Sequence, residues 1–426
     1  MEGKMSKRIV LLIGVLGLAG MLLWVGPGHT AETIKMGYIG NFSWPVAADA
    51  FYAAKLAVDE INKAGGIQGR QVELLNEDSR GQTPMATAAY KKLVMTKGAM
   101  MVMIAEGSEI NFACQEAGAD LYPEFKHIAM NTCTSHEELG DKVVKNYKRY
   151  KFYFRPFLKT TSYFQFLKEN IEAMNYLTKA KTMALIIEDA LWTEYFRKGL
   201  LGKYPPFKEI VEGTGVKVVY YAETATGEKM FLPILDAIAA KKPDYIYNLN
   251  AYSDAVIFAK QWATSGAADI DYYNNGGAST MPGYWGMTGG AALGVVCTTY
   301  TTKAAVTERT IPFIEGVKAR YNKDLNWVSY SSYDAPYLIK TAADLAKSTD
   351  IEAIIKSLEA VEMVGVSGKA KFDETHTYIY GYPYQTAVRA QFQKDGINVV
   401  VFPYDVAKAT NPDKTFVPIK KLRKGL

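Results

Sequence analysis

The chain has 426 residues, of which 49% are hydrophobic and 22% charged, so it is suited to two or three globular domains rather than to disorder. Its formal net charge is +5, and residues 1–31 contribute two of these positive charges, which leaves +3 on the rest of the chain. This weak charge, with Lys and Arg clustered only in the terminal KKLRKGL, argues against a protein that binds nucleic acid.

The first 31 residues have the features of a secretory signal peptide. Lys4, Lys7 and Arg8 precede an uncharged apolar run, residues 9–25, and a Gly/Pro-rich exit then ends at Ala31. The alternative is an uncleaved membrane anchor, because a spanning helix needs roughly 17–25 apolar residues and this run is at the short end. The Pro and Gly residues after the run favour cleavage, so we expect an exported chain that begins near residue 32.

The next segment is predicted to form a strand, a helix and a second strand. Residues 34–39 are apolar and β-prone, and residues 41–45 form a turn. From Val46 onward, apolar residues recur at three- and four-residue spacing, which predicts a helix that Gly65 and Gly66 end. A strand at residues 71–76 completes a β-α-β unit, and such units form parallel sheets. Parallel sheets bind small molecules at the carboxyl ends of their strands, where the first turn lies.

The alternation of strands and helices continues to the end of the chain. Further strands are predicted at residues 100–105, 127–131, 150–157, 182–187, 217–222, 245–250, 271–275, 294–299 and 399–401. Further helices are predicted at residues 108–121, 162–174, 194–201, 230–240, 254–265, 311–321, 332–346 and 351–358. This pattern indicates an α/β protein, and so many strands favour two sheets over one.

The segment from residue 34 to 78 carries a family resemblance. A strand, a loop with an aromatic residue and Pro, a helix ending in AVDEINKAGGIQG and a strand ending in Glu77 and Asp78 resemble the leucine/isoleucine/valine-binding family. Members are type I periplasmic binding proteins that serve ABC importers. The resemblance covers nearly all of the chain after residue 31, and it implies two Rossmann-like lobes with parallel central sheets.

The resemblance also implies a division of the chain between the lobes. Three crossover segments join them, and residues 156–161, 298–303 and 364–372 match these crossovers. Lobe one is then expected to contain residues 32–157 and 300–365, and lobe two residues 158–299 and 366–426. A cleft between lobes that are joined this way can close by a hinge.

Candidate ligand-binding residues of lobe one follow its strands. Gly107, Ser108 and Glu109 begin a helix, where free amide groups attract anions, although Ser108 could also serve only to cap its helix. In the related family, the serine of this loop binds the ligand carboxylate. The loop after the next strand supplies a backbone carbonyl and a Thr side chain in that family. Cys133 and either Thr134 or Ser135 occupy those places here, and Trp44 in the first turn offers an aromatic contact.

Candidate residues of lobe two include two aromatic positions and one departure from the family. Trp192 stands where the family has a tyrosine, and Tyr247 or Asn248 stands at a second position near the cleft. Amino-acid binders carry a glutamate that pairs with the ligand ammonium, but this chain has Asn275 and Gly276 there. A buried ammonium without a carboxylate is costly, so a small aromatic acid is a candidate ligand beside a branched-chain amino acid. Glu106, Glu109 or Asp189 could substitute for that glutamate.

The three cysteines leave two arrangements open. Cys114 and Cys133 are expected near the same sheet edge, so they could form a disulfide or remain as two separate buried thiols, and Cys297 adds an odd cysteine. Scattered cysteines without a CxxC motif do not predict a metal site, and no cofactor is predicted.

These features bear on three classes of function: an enzyme, a solute-binding protein and a sensor. The sequence has no HExxH, GxSxG, GxxxxGK[ST] or GxGxxG motif, so an enzyme is not predicted. The resemblance implies a monomeric solute-binding component in the periplasm that delivers a carboxylate-bearing ligand to ABC permease subunits in the inner membrane. The alternative is a ligand-sensing module of a regulatory system with the same fold, an amide or amino acid sensor.

Overall fold

The computed structural model describes residues 32–200, 202–251, 254–281, 283–299 and 303–424. The predicted signal peptide, residues 1–31, lies outside these ranges. In the described ranges, none of the helices combines the length and the apolar character that crossing a membrane requires.

The first sheet is entirely parallel, as the β-α-β pattern predicts. Its strand order is β2-β1-β3-β4-β5. Ile34 lies opposite Val72 on one side of β1, and Met36 lies opposite Met101 on the other. Every residue of β3 is buried, as expected for a strand covered on both faces. The strands are β1 (Ile34–Gly40), β2 (Val72–Asp78), β3 (Met101–Ala105), β4 (Ile128–Asn131) and β5 (Tyr153–Phe154).

The second sheet is parallel in its centre and antiparallel at one edge. Its order is β14-β13-β10-β9-β8-β6-β7, and β13 runs antiparallel to both of its neighbours. Two short strands, β11 and β12, pair separately. The strands are β6 (Thr182–Asp189), β7 (Lys217–Ala225), β8 (Tyr245–Asn250), β9 (Asp271–Gly276), β10 (Val296–Thr299), β11 (Met363–Val364), β12 (Lys369–Ala370), β13 (Val388–Phe392) and β14 (Asn398–Phe402).

Helices cover the sheets and bury their apolar faces against them. The alanine-rich face of the first helix packs against α13, whose side chains belong to the core of the first sheet. The helices are α1 (Pro45–Lys63), α2 (Thr83–Lys91), α3 (Ser108–Leu121), α4 (Glu137–Lys145), α5 (Tyr147–Tyr150), α6 (Thr160–Thr178), α7 (Glu194–Lys198), α8 (Phe207–Gly213), α9 (Leu232–Lys241), α10 (Ala255–Thr264), α11 (Tyr284–Thr288), α12 (Thr310–Tyr321), α13 (Trp327–Ala346), α14 (Ile351–Glu359), α15 (Tyr404–Thr410) and α16 (Ile419–Arg423).

Most of the predicted elements are present, and two of the differences have identifiable reasons. The strand expected at residues 150–157 is only the two-residue β5, because Arg155 instead exchanges backbone hydrogen bonds with His376 and Tyr378. The prediction also omitted α2, although a right-handed crossover is needed to bring β3 parallel to its neighbour.

Residues of the two sheet cores alternate along the chain, so the chain passes from one core to the other three times. The first passage follows β5, and the second lies between β10 and α12. The third passage lies between Tyr378, which packs in the core of the first sheet together with Phe372, and Tyr380, which packs in the core of the second. It is therefore later in the chain than the predicted crossover at residues 364–372.

The three cysteines are separate buried thiols. Burial raises the pKa of Cys114 to about 12 and that of Cys297 to about 12, and it also raises the pKa of Cys133. The structure therefore favours the second of the two arrangements left open by the sequence.

Candidate functional site

A cavity lies where the carboxyl ends of strands from the two sheets face each other. It encloses about 670 Å³ of space, part of which is open to solvent. Loops after β1, β3 and β4 contribute to it from the first sheet, and loops after β6, β8 and β9 contribute from the second. The lining residues are Trp44, Gly107, Cys133, Thr134, Ser135, Phe157, Tyr163, Trp192, Ala251, Asn275, Gly276, Gly277, Thr280, Thr298 and Trp327.

Three half-buried indole rings, those of Trp44, Trp192 and Trp327, belong to the apolar wall. Trp44 and Trp327 meet edge to face, with ring centroids 5.9 Å apart. The ring of Trp327 also packs so closely on Gly277 that a Cβ atom there would lie 2.7 Å from it. Trp327 therefore links the helix layer of the first sheet to the loop that follows β9. Trp192 meets Tyr163 edge to face at 6.1 Å.

We call Gly107, Ser108 and Thr134 the first-sheet edge of the cavity. Gly107 is the N-cap of α3 and lines the cavity, and the first amide groups of this helix have no partner within the helix. Ser108 is buried, and its hydroxyl lies 2.5 Å from the hydroxyl of Thr134. Amides at a helix N-terminus together with hydroxyl groups suit an anionic group on a ligand.

The loop that carries Thr134 is held by a buried amide side chain. The Asn131 Oδ1 atom accepts hydrogen bonds from the backbone amides of Cys133 and Thr134, at 3.1 and 3.0 Å. The Asn131 Nδ2 atom donates to the carbonyl of Thr134 at 2.9 Å. The loop therefore keeps its shape without help from a ligand.

A buried carboxyl group lies directly behind the first-sheet edge. Burial raises the pKa of Glu106 to about 7, and the hydroxyl of Ser79 donates a hydrogen bond to this side chain. Glu106 is not among the residues that line the cavity.

We call Tyr163, Asn275 and Thr298 the second-sheet edge. The Asn275 Nδ2 atom donates to the hydroxyl of Tyr163 at 3.1 Å, and the Thr298 hydroxyl donates to Asn275 Oδ1 at 3.0 Å. All three residues line the cavity. This edge is therefore a connected network of neutral polar groups.

The indole of Trp192 is oriented by a fully buried carboxylate. Trp192 follows β6 in a short 3-10 turn, and its Nε1 atom donates to Glu188 Oε2 at 3.2 Å. The backbone amide of Ala251 donates to the same oxygen at 2.9 Å. Glu188 thus supports two lining residues from behind the wall.

The structure brings together most of the predicted site residues. Eight of them line the cavity: Trp44, Gly107, Cys133, Thr134, Ser135, Trp192, Asn275 and Gly276. Ser108 is in contact with Thr134 just behind this surface. Glu109 is exposed on α3 and does not line the cavity.

Tyr247 and Asn248 are not at the cavity wall, which corrects their predicted placement. The ring of Tyr247 stacks on Tyr273 with centroids 4.9 Å apart, and its hydroxyl accepts a hydrogen bond from Asn170 at 3.1 Å. Both predicted residues lie within β8 and are buried between its neighbours. Because β8 continues to Asn250, only Ala251 of this segment reaches the cavity among the described residues.

The sequence prediction missed several lining residues. Phe157 and Thr298 lie in segments that were predicted as crossovers but not as ligand contacts, and Tyr163 lies inside α6. Trp327 was missed because α13 begins five residues earlier than the predicted helix at residue 332. The available signal was Asn326, which caps this helix: its side chain accepts from the amide of Val328 at 3.0 Å.

The cavity wall carries no charged side chain among the residues that the structure describes. The internal residues outside the described ranges are Leu201, Tyr252, Ser253, Pro282, Tyr300, Thr301 and Thr302, and none of these is acidic or basic. Within the described ranges, no group of three His, Cys, Asp or Glu side chains is placed to hold a metal ion.

Comparison with known proteins agrees with this architecture. A leucine-, isoleucine-, valine-, threonine- and alanine-binding protein from Pseudomonas aeruginosa is 22% identical over 378 residues, which cover 87% of this chain and 93% of the relative. The branched-chain amino acid transporter substrate-binding protein of Streptococcus pneumoniae, solved with isoleucine, superposes with a TM-score of 0.70 at 19% identity, covering 87% of this chain and 99% of that one.

A second solved structure has an aromatic ligand. The solute-binding protein of an ABC transporter from R. palustris, in complex with benzoate, superposes with a TM-score of 0.67 at 17% identity, covering 87% of this chain and 95% of that one. The sequence profile of the periplasmic binding protein family matches residues 33–382. The chain therefore belongs to the periplasmic binding protein family.

Proposed function

We propose that this protein is the solute-binding component of an ABC uptake system and that it holds a small carboxylate-bearing ligand in the cavity between its two sheets. The observation that carries the proposal is the cavity itself, in which three indole rings surround a space with the N-terminus of α3 at one edge. Such a site provides apolar contact area together with one place for an anion.

The ligand is a branched-chain amino acid or a small aromatic acid. The relatives with names or bound molecules of each kind support both choices. The carboxylate is placed against the first-sheet edge, where Ser108 and Thr134 supply hydroxyl groups beside the amides of α3. This is the role that the sequence resemblance assigns to Ser108.

Contacts across the groove support a closing motion of two lobes. The ring of Tyr195 lies 5.2 Å from the ring of His136, and Lys203 Nζ lies 3.2 Å from Glu137 Oε1. The backbone amide of Thr161 donates to Glu137 Oε2 at 2.9 Å. These contacts join elements of the two sheets next to the cavity and so stabilise the closed arrangement of the two lobes. A ligand in the cavity that binds this arrangement more tightly stabilises it further.

The protein acts in the periplasm as a monomer, releases its ligand unchanged and docks on the permease subunits of its transporter. This placement follows from the family and from the signal peptide predicted at residues 1–31. Genes for a permease and an ATPase next to the gene for this protein would support a role in transport. A neighbouring gene for a kinase or a regulator would support a role in sensing.

A thermal-shift screen tests the proposal. Purified protein without residues 1–31 is heated with branched-chain amino acids, short amides and aromatic acids, each in large excess. A true ligand at about 100 times its Kd stabilises the folded state by about 2.7 kcal/mol, so the melting temperature rises with concentration. Absence of any shift across all three classes, or chemical conversion of a stabilising compound, contradicts the proposal.

A further inference from the structure

The second-sheet edge contains a chain of hydrogen bonds with a definite direction. The hydroxyl of Tyr273 lies 2.7 Å from that of Thr298, which in turn donates to Asn275 Oδ1 at 3.0 Å. Since Thr298 has a single hydroxyl hydrogen, its oxygen accepts the hydrogen of Tyr273. Asn275 Nδ2 then donates to the hydroxyl oxygen of Tyr163 at 3.1 Å.

This direction leaves hydrogen-bond donors beside the cavity. The hydroxyl oxygen of Tyr163 already accepts from Asn275, so its own hydrogen is available to a further acceptor. The amide nitrogen of Asn275 carries a second hydrogen as well. Burial raises the pKa of Tyr163 to about 12, so this hydroxyl remains protonated at neutral pH.

The charges around the cavity match this donor character. The described lining residues are uncharged, and the buried carboxylate of Glu188 is turned toward the Trp192 indole and the Ala251 amide. An ammonium group placed at the second-sheet edge would lose its water and meet donors instead of a carboxylate.

We propose that the second-sheet edge, through Tyr163 and Asn275, selects ligands that carry an acceptor oxygen at the end away from their carboxylate and rejects ligands with an ammonium group. The inference rests on the proposed function and narrows its ligand class to flat aromatic carboxylates with a second acceptor. Both edges then donate hydrogen bonds to the two ends of the ligand, and the three indole rings cover the apolar part of the ligand between these ends.

The inference is tested by calorimetric titration with two probes of the same skeleton. 4-Acetylbenzoate carries an acceptor at the far end, whereas 4-(aminomethyl)benzoate carries an ammonium there. The wild-type protein is expected to bind the acetyl compound at least about tenfold more tightly, because the ammonium compound leaves a charge unpaired. Leucine is titrated in parallel.

Two variants address the residues directly. Asn275→Asp replaces the amide with a carboxylate of nearly the same volume, so the preference is expected to move toward the aminomethyl compound by about tenfold or more. Tyr163→Phe removes a donor and is expected to narrow the preference for the acetyl compound by roughly fivefold. Asn322→Asp, at an exposed helix end, and Tyr404→Phe, on the surface, are the matched controls.

Three outcomes overturn the inference. Equal affinity for the two probes, or tighter binding of the aminomethyl compound by the wild type, shows that the second-sheet edge does not select an acceptor. Binding of leucine without binding of 4-acetylbenzoate overturns the inference while the proposed function stands. A lack of binding by all three probes also overturns it, and the broader thermal-shift screen then decides the proposed function separately.

Discussion

The first-sheet and second-sheet edges present polar groups to the same cavity in different ways. The first-sheet edge relies on backbone amides at the start of α3 and on two hydroxyl groups, Ser108 and Thr134. The second-sheet edge relies on side chains from three separate elements, which are Tyr163, Asn275 and Thr298. An edge made of backbone suits a group that all ligands share, whereas an edge made of side chains can be changed to distinguish one ligand from another.

The largest expected effect comes from removing the side chain that contacts both halves of the site. Trp327→Ala should weaken ligand binding by roughly 2–4 kcal/mol, because a central aromatic contact is lost on truncation. Calorimetry with the ligand found by the thermal-shift screen measures the change. Tyr382→Ala is the control, since this side chain is 93% exposed. An affinity within twofold of the wild type would show that Trp327 does not contribute to ligand binding.

The buried carboxyl group of Glu106, behind the first-sheet edge, should make stability depend on pH. Burial raises the pKa of Glu106 from its ordinary 4.5 to about 7, so the folded protein binds a proton more tightly than the unfolded chain. The contribution of this group to stability is therefore complete below about pH 4.5 and is lost as the pH rises through about 7. The expected loss in the free energy of unfolding is roughly 2–3 kcal/mol.

Urea unfolding of Glu106→Gln at several pH values measures this effect. The variant keeps an acceptor for Ser79 and cannot ionise, so the decrease between about pH 4.5 and 7 should be reduced. Glu212→Gln, at an exposed position on α8, serves as the control. Identical pH profiles for Glu106→Gln and the wild type would mean that Glu106 titrates normally.

A smaller effect is expected from the hydroxyl groups of the first-sheet edge. Ser108→Ala should weaken carboxylate binding by roughly 1–3 kcal/mol, because a buried hydrogen-bonding group is lost. Thr134→Val should have a similar effect. In the double variant, the two losses of binding free energy should not add, since the two hydroxyls contact each other. Ser357→Ala on α14 is the control. An unchanged dissociation constant for Ser108→Ala would show that the Ser108 hydroxyl does not contribute to ligand binding.

The smallest effect concerns the residue that orients Trp192. Glu188→Ala should weaken binding by about 1 kcal/mol, because the indole and the Ala251 amide lose their acceptor. Glu188→Gln keeps an acceptor oxygen and should restore most of the affinity. The loss should also be smaller in a Trp192→Phe background, since Phe has no N–H group. Equal losses in both backgrounds would show that Glu188 acts on the fold and not on Trp192.

The difference between the two edges also explains how far the sequence could be interpreted. Gly107, Ser108 and Thr134 follow buried apolar strands directly, so the strand pattern located their loops, and the family resemblance suggested that these loops contact a ligand. Tyr163 lies within a helix, and Thr298 lies within a strand, where nothing in the local pattern separates a cavity residue from a core residue. Tyr247 illustrates the converse, because an aromatic residue near a strand end proved to stack within the core.

The fold was more predictable than the site for a related reason. Strand and helix positions depend on local hydrophobic periodicity, which is present in each segment. The antiparallel edge formed by β13 and β14, and the late third passage between the cores, depend on contacts between residues far apart in the chain. One sequence does not contain the information that pairs such segments.

The central claim is that one ligand occupies the cavity between the two sheets, with its carboxylate at the start of α3. A crystal structure of the protein with the compound that raises the melting temperature most tests this claim directly. Ligand density is expected among Trp44, Trp192 and Trp327, with the carboxylate at Gly107 and Ser108. A ligand bound elsewhere, or bound there with its carboxylate directed away from α3, would contradict it.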